Sequence, residues 1–207
     1  MSISVSIDHR RALGPVRDQG NRSTCLSHAA TLAHEHARGS IDPLSPEYLH
    51  YFASGPGGGA SFHSVASALR QPGQPTEADC PYLVGDPTSS WTLPGGVVTF
   101  RRESEPKNNN CGDIEALLNS GAVPVLGITL PLPFFTPSDP WVIPSAGPIH
   151  GRHAVTAVAM GIATNGKAVL IRNSWGAAWG DGGHAWLDET FLAQHLHDLM
   201  VLTHEVT

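Results

Sequence analysis

The chain has 207 residues, 41% of them hydrophobic and 14% charged, with 12 basic against 18 acidic groups and a formal net charge of −6. That length and apolar content support a sizeable core without staples, and no apolar run approaches the roughly 20 residues of a membrane span. The acidic balance and scattered basic groups argue against nucleic acid or a membrane as partner. Residues 3–7 alternate as a short strand does. After Leu13-Gly14-Pro15, Leu26, Ala29, Ala30, Ala33 and Ala37 recur at helical spacing, and Gly39 ends the run. Ser23 or Thr24 caps that helix and Cys25 falls in its first turn. Ser45-Pro46 opens a second helix through Phe52, and a third spans about Phe62 to Leu69. Residues 86–112, rich in Pro, Gly, Ser and Asn, read as a connection containing a strand at Val97–Phe100. A helix at Asp113–Leu118 precedes strands at Val123–Leu130, Ala154–Met160, Ala168–Arg172 and His184–Leu187. Residues 188–207 offer either a tail helix or a partner surface. A helical half followed by a strand-rich half predicts an α+β protein of two unlike lobes. One lobe is about residues 12–105; the other is about 106–207 with the N-terminal strand.

The three cysteines, at 25, 80 and 111, fit neither a zinc spacing nor a disulfide framework. Residues 1–11 lack the apolar segment of a secretory signal, so a reducing, cytoplasmic setting is the expectation. One cysteine is then read as a reagent. First-turn N–H groups and the helix dipole favour a thiolate at Cys25. A thiolate nucleophile needs an imidazole to take and return its proton. His153 enters an apolar strand, and Asn173 closes the next one, where antiparallel pairing brings the two within reach. His34 and His36, two apart on a helix, face apart and read as solvent-exposed, and Arg101-Arg102 reads as a solvated loop pair. The glycines at 55–59 lack the Lys-Ser/Thr of a phosphate loop.

Pro15-Val16-Arg17-Asp18-Gln19-Gly20 with Cys25, Gly58-Gly59, Pro81-Tyr82, His153-Ala154-Val155 and Asn173-Ser174-Trp175-Gly176-x-x-Trp179-Gly180-x-x-Gly183 together resemble the papain-like cysteine peptidases. The separations of 128 and 148 positions from Cys25 to His153 and Asn173 are close to the roughly 130–150 such peptidases show. The resemblance implies a helical lobe and a β-barrel-like antiparallel lobe with a cleft between them. It implies Cys25 as nucleophile, His153 as base and acid, and Asn173 as the residue holding the imidazole. Trp175 would shield that hydrogen bond, and Gln19 with the Cys25 N–H would form the oxyanion hole. Gly58 and Gly59 would pair with an extended peptide or protein substrate. Ala60, Ser61 and Ile128 would line a roomy, mostly neutral specificity pocket, with Ser23 narrowing the first subsite. No metal or cofactor is implied.

Several positions depart from the pattern. Arg22 stands where the family carries a disulfide cysteine, and Leu26 where it carries a tryptophan. Arg152 precedes the histidine, where its charge would lower the imidazole pKa or select an acidic substrate. No inhibitory pro-region precedes residue 3; if Met1 is native, the expectation is control by some other means or none at all. Two rival readings keep the same residues: a transpeptidase or specialised amidase, and a catalytically silent peptide-binding module.

Overall fold

The computed structural model describes residues 3–40, 42–55, 58–164 and 166–207. In chain order its elements are β1 (Ser4–Asp8), α1 (Cys25–Arg38), α2 (Pro46–Ala53), α3 (Phe62–Arg70), β2 (Arg102–Pro106) and α4 (Cys111–Asn119). Then follow β3 (Val125–Pro131), β4 (Ile149–Ala163), β5 (Gly166–Arg172), β6 (His184–Asp188), α5 (Glu189–His195) and β7 (Leu196–Glu205). Four helices begin on a side chain that accepts a first-turn N–H: Ser45 from Tyr48, Ser61 from Ser64, Asn110 from Asp113 and Asp188 from Phe191. α1 is different. Thr24 occupies the cap position without capping, because its hydroxyl is paired with that of Tyr82 at 2.9 Å. Gly39 ends α1 at φ 62°, a conformation that costs glycine nothing.

The seven strands form one antiparallel sheet in the order β2-β7-β3-β4-β5-β6, with β1 added to β4. β2 and β6 are its edges, so the sheet is open, not a closed barrel. The 15-residue β4 is its spine. Its first half pairs with β3, and its second half pairs with β5 and β1. Successive strand residues point to opposite faces, which divides most of the apolar side chains between two main cores, with Val158, Ala159 and Leu170 forming a smaller third cluster. Leu126, Val155 and Ile171 pack with Ile114 and Leu118 of α4 and Phe191 of α5. Val125, Ala154, Met200 and Leu202 close the other core against α1, α2 and α3 through Leu26, Ala30, Leu49 and Val65. Among the described residues no helix is long and apolar enough to cross a membrane.

The strand expected at Val97–Phe100 is not formed. Phe100 makes a single bridge to Gln74, and the strand lies later, at β2, where β7 supplies a partner. Residues 188–207 are neither a lone helix nor a free surface, since α5 leads into β7 inside the sheet. Arg102 is not solvated: it is 7% exposed on β2. His34 is fully buried, because Gln74 receives its ring nitrogen at 2.9 Å. His36 is half-buried and bonds the Gly121 carbonyl. All three cysteines are free.

Candidate active site

Cys25 sits at the first position of α1, and His153 on β4 faces it across a cleft of about 1050 Å³ lined by both. His153 and Asn173 are joined by a 2.7 Å hydrogen bond between Nε2 and Oδ1. The same Oδ1 accepts the backbone N–H of Ser174 at 2.8 Å. An oxygen that already receives one donor must receive a second from His153, so Nε2 carries the ring proton. Nδ1 is then left as the basic lone pair. Asn173 is itself held by its backbone N–H to the Gly183 carbonyl. The Trp175 ring lies 4.7 Å from that of His153, and Phe134 meets the imidazole edge-on at 5.8 Å. Water is thereby kept from the His153–Asn173 bond.

Burial is the largest influence on both reacting groups. It pushes the Cys25 thiol up, against the backbone N–H groups of Ala154, Leu26 and Cys25, which hold it down. It pushes His153 down to about 4, against the bond to Asn173. The helix-terminus effect expected to favour a standing thiolate is therefore outweighed by desolvation. Both directions favour the uncharged pair at rest. Arg152 is exposed, where solvent screens its charge, and it is not among the causes of the His153 shift.

Gln19 is buried and held on three sides. Its Nε2 donates to the Arg22 carbonyl at 2.8 Å, its Oε1 accepts from the Ser174 hydroxyl at 2.6 Å, and its carbonyl accepts from Tyr82 at 2.8 Å. One N–H of the amide remains free. Arg22 is itself 8% exposed and forms a two-point ion pair with Glu47 of α2, with Nη2 donating to Oε1 at 2.9 Å and Nη1 to Oε2. It also donates to the Leu83 carbonyl at 3.0 Å. An ion pair thus joins the segment before α1 to α2 at the position where the resemblance led to a missing disulfide.

Of the residues singled out from sequence, Gln19, Ser23, Cys25, Gly59, Ala60, Ser61, Ile128, Arg152, His153 and Trp175 all line this one cleft. Asn173 stands behind it, with Ser174, on a smaller cavity. Gly58 does not line the cleft and instead makes the turn into Gly59 at φ 78°. Pro56 and Gly57 lie outside the described residues. Ile128 is 1% exposed and contributes only an edge. The pocket wall is not wholly neutral: Asp198 and His197 of β7 and His63 of α3 share it. A Cβ on Gly127 would lie 2.8 Å from Phe62 and 2.9 Å from Asp198, so the missing side chain is what lets both approach the strand there. Phe135 stacks on Trp175 at 5.5 Å and meets His150 edge-on at 5.9 Å. These residues carried no local signal. Strand pairing across β3 and β7, and the loop before β4, bring them in.

Comparison with known proteins agrees with this arrangement. The sequence profile of the papain family cysteine proteases matches residues 3–193. Cathepsin K of Gallus gallus is 31% identical over 195 residues, which are 88% of this chain and 58% of that protein. The chain thus spans less than two thirds of that relative's length. Among solved structures, the bromelain protease of Ananas comosus, in complex with the E64 inhibitor, superposes with a TM-score of 0.75 at 22% identity, covering 95% of this chain and 97% of that one. Xylellain, a cysteine protease of Xylella fastidiosa, gives 0.76 at 20% identity, covering 97% and 91%. At those identities the structural likeness speaks to the fold, and it is the sequence match over nearly the whole chain that places this protein in the papain family of cysteine proteases.

Proposed function

We propose that this chain is a cysteine endopeptidase acting through a covalent acyl-enzyme. The observation that carries the reading is the 2.7 Å His153–Asn173 bond, which leaves Nδ1 free in the cleft that Cys25 shares. Because burial disfavours either charge alone, thiolate and imidazolium arise together, by passage of one proton from Sγ to Nδ1. Sγ then attacks the peptide carbonyl. The resulting oxyanion takes the Cys25 backbone N–H and the free N–H of Gln19. His153 returns its proton to the leaving amine, and afterwards draws a proton from the water that hydrolyses the thioester. Gly59 lets the substrate backbone lie close in extended pairing, Ser23 borders the first subsite, and Ala60 and Ser61 border the next. Trp175, with Phe135 and His150, offers a wall on the cleft beyond the reacting pair. Residues of both lobes line a long open cleft, which supports cleavage within a chain.

The test is the intact mass after a stoichiometric epoxysuccinyl peptide, followed by peptide-library turnover. One adduct on Cys25 is expected, absent from Cys25→Ala, with turnover lost in Cys25→Ala and reduced by at least about 10³ in His153→Ala. Undiminished turnover in Cys25→Ala ends the reading. Peptide binding without cleavage in both proteins favours the silent module.

A further inference from the structure

Phe134 and Phe135 are adjacent in sequence and placed oppositely. Both belong to the 3-10 turn Leu132–Phe135 that follows β3. Phe134 is fully buried: its ring packs against Trp175 and Trp179 at 5.5 and 5.1 Å, and its carbonyl accepts the Trp179 indole N–H at 3.0 Å. Phe135 is 40% exposed and belongs to none of the apolar clusters of the core. It stacks on Trp175 with the ring planes 24° apart and meets His150 edge-on, and all three line the cleft. Leu132, 51% exposed, shares its side of the turn, since positions three apart eclipse in a 3-10 helix. Ile149, 50% exposed, is next to His150 and pairs with Pro131, while the Leu132 N–H donates to the Pro148 carbonyl at 3.1 Å. Exposed apolar side chains are ordinary when they stand singly. A contiguous group that joins a cleft is a surface built to be covered.

The placement of the reacting groups says what covers it. His153 returns its proton to the leaving amine, so the residue carrying that amine begins at the imidazole. The Trp175 ring lies 4.7 Å from that imidazole, and the leaving residues therefore run over Trp175 toward Phe135 and His150. The acyl side runs the other way, past Ser23, Gly59 and Ala60. We infer that Phe135 is a specificity-determining residue: with Trp175, His150 and the flanking Leu132 and Ile149, it receives an aromatic or large aliphatic side chain on the first or second residue after the cleaved bond. The inference rests on the peptidase reading for the direction of the bound chain. A ring laid against Phe135 and Trp175 gains buried apolar area and an aromatic pairing, and glycine in its place gains neither. Among the described residues the one acid lining the cleft, Asp198, stands with Phe62 at Gly127, away from this wall.

The test reads cleavage and binding separately. Wild type digests an equimolar peptide library, and the new N-termini are read by mass spectrometry. Cys25→Ala, which leaves bound peptides whole, is titrated by NMR with the dipeptide amides of phenylalanine, glycine and glutamate. Aromatic and large aliphatic residues should be enriched about tenfold over glycine in the first two positions of the new fragments, and the phenylalanine dipeptide amide should bind about tenfold more tightly than the glycine one. Phe135→Ala, alone and combined with Cys25→Ala, should bring both ratios close to one, and Phe135→Tyr, which keeps the ring, should restore them. Should Phe135→Ala fail to fold, Leu132→Ser, at an exposed position, should lower the same ratios by about threefold. Equal binding of the three amides overturns the inference. So does a preference for glutamate, which exposed Arg152 would confer, or a preference for phenylalanine that survives in whichever variant folds. Cleavage without any such preference ends this inference and spares the peptidase reading. A phenylalanine preference in binding, lost in Phe135→Ala, without cleavage by wild type ends the peptidase reading and leaves Phe135 as the selecting residue of the cleft.

Discussion

Gln19 has one free N–H because three neighbours hold the rest of it. A donor fixed before substrate arrives needs no reorganisation when the oxyanion forms, which is why such groups weigh more on kcat than on KM. Gln19→Ala is therefore expected to lower kcat by about 10²–10³ with KM little changed, read from initial rates on a peptide substrate. An unchanged kcat would remove Gln19 from the oxyanion hole. Cys25, His153 and Asn173 could be grouped from residue type and placement on predicted elements, whereas Gln19 entered only through the resemblance to the papain-like peptidases, because catalytic chemistry fixes residue types and not their order in the chain. Asp198, Gly127 and Phe135 were not legible in the sequence, because what brings them to the cleft is strand register and a loop path, and neither leaves a local pattern. His34 and Arg102 were misjudged for a related reason. A polar side chain reads as exposed unless its buried partner is known, and Gln74 lies 40 positions from His34.

Helix starts were the most readable elements, since a cap is a local event: Ser45 followed by Pro46 marks α2 without any knowledge of the rest. Strands were read well where they are buried, as in β3 to β5. They were misplaced where pairing decides, since β2 and β7 exist through each other. The junction between α1 and α2 rests on the Arg22–Glu47 pair, with side chains 7% and 2% exposed. Removing one partner leaves an uncompensated buried charge. Glu47→Ala is expected to lower the unfolding free energy by about 3–5 kcal/mol in a urea titration, whereas Arg22→Met with Glu47→Leu should come close to wild type. A loss in the double variant as large as in the single one would show that the charges themselves hold the junction.

On the scale of the whole molecule, burial of neutral histidines sets the response to acid. His28, His34 and His153 are each pushed down to about 4, mainly by desolvation. The unfolded chain, with histidines near 6.5, binds more protons than the folded one. Stability is thus complete above about pH 6.5 and is lost as pH falls toward 4, on the order of 3 kcal/mol for each histidine at the lower end. The unfolding temperature should drop steeply over that interval, and His34→Gln should flatten the drop; a level profile down to pH 4 contradicts it. β7 governs a different property, the order of events during synthesis. Its ten residues lie between β2 and β3, Met200 and Leu202 finishing one core and Leu196 and Leu199 the other. A nascent chain that has not yet released residues 196–205 leaves β2 without its partner and one edge of β3 bare. Neither core closes ahead of the other, so a chain that has made β2 and β3 but not yet β7 carries an unpaired strand edge of the kind that chaperones shield.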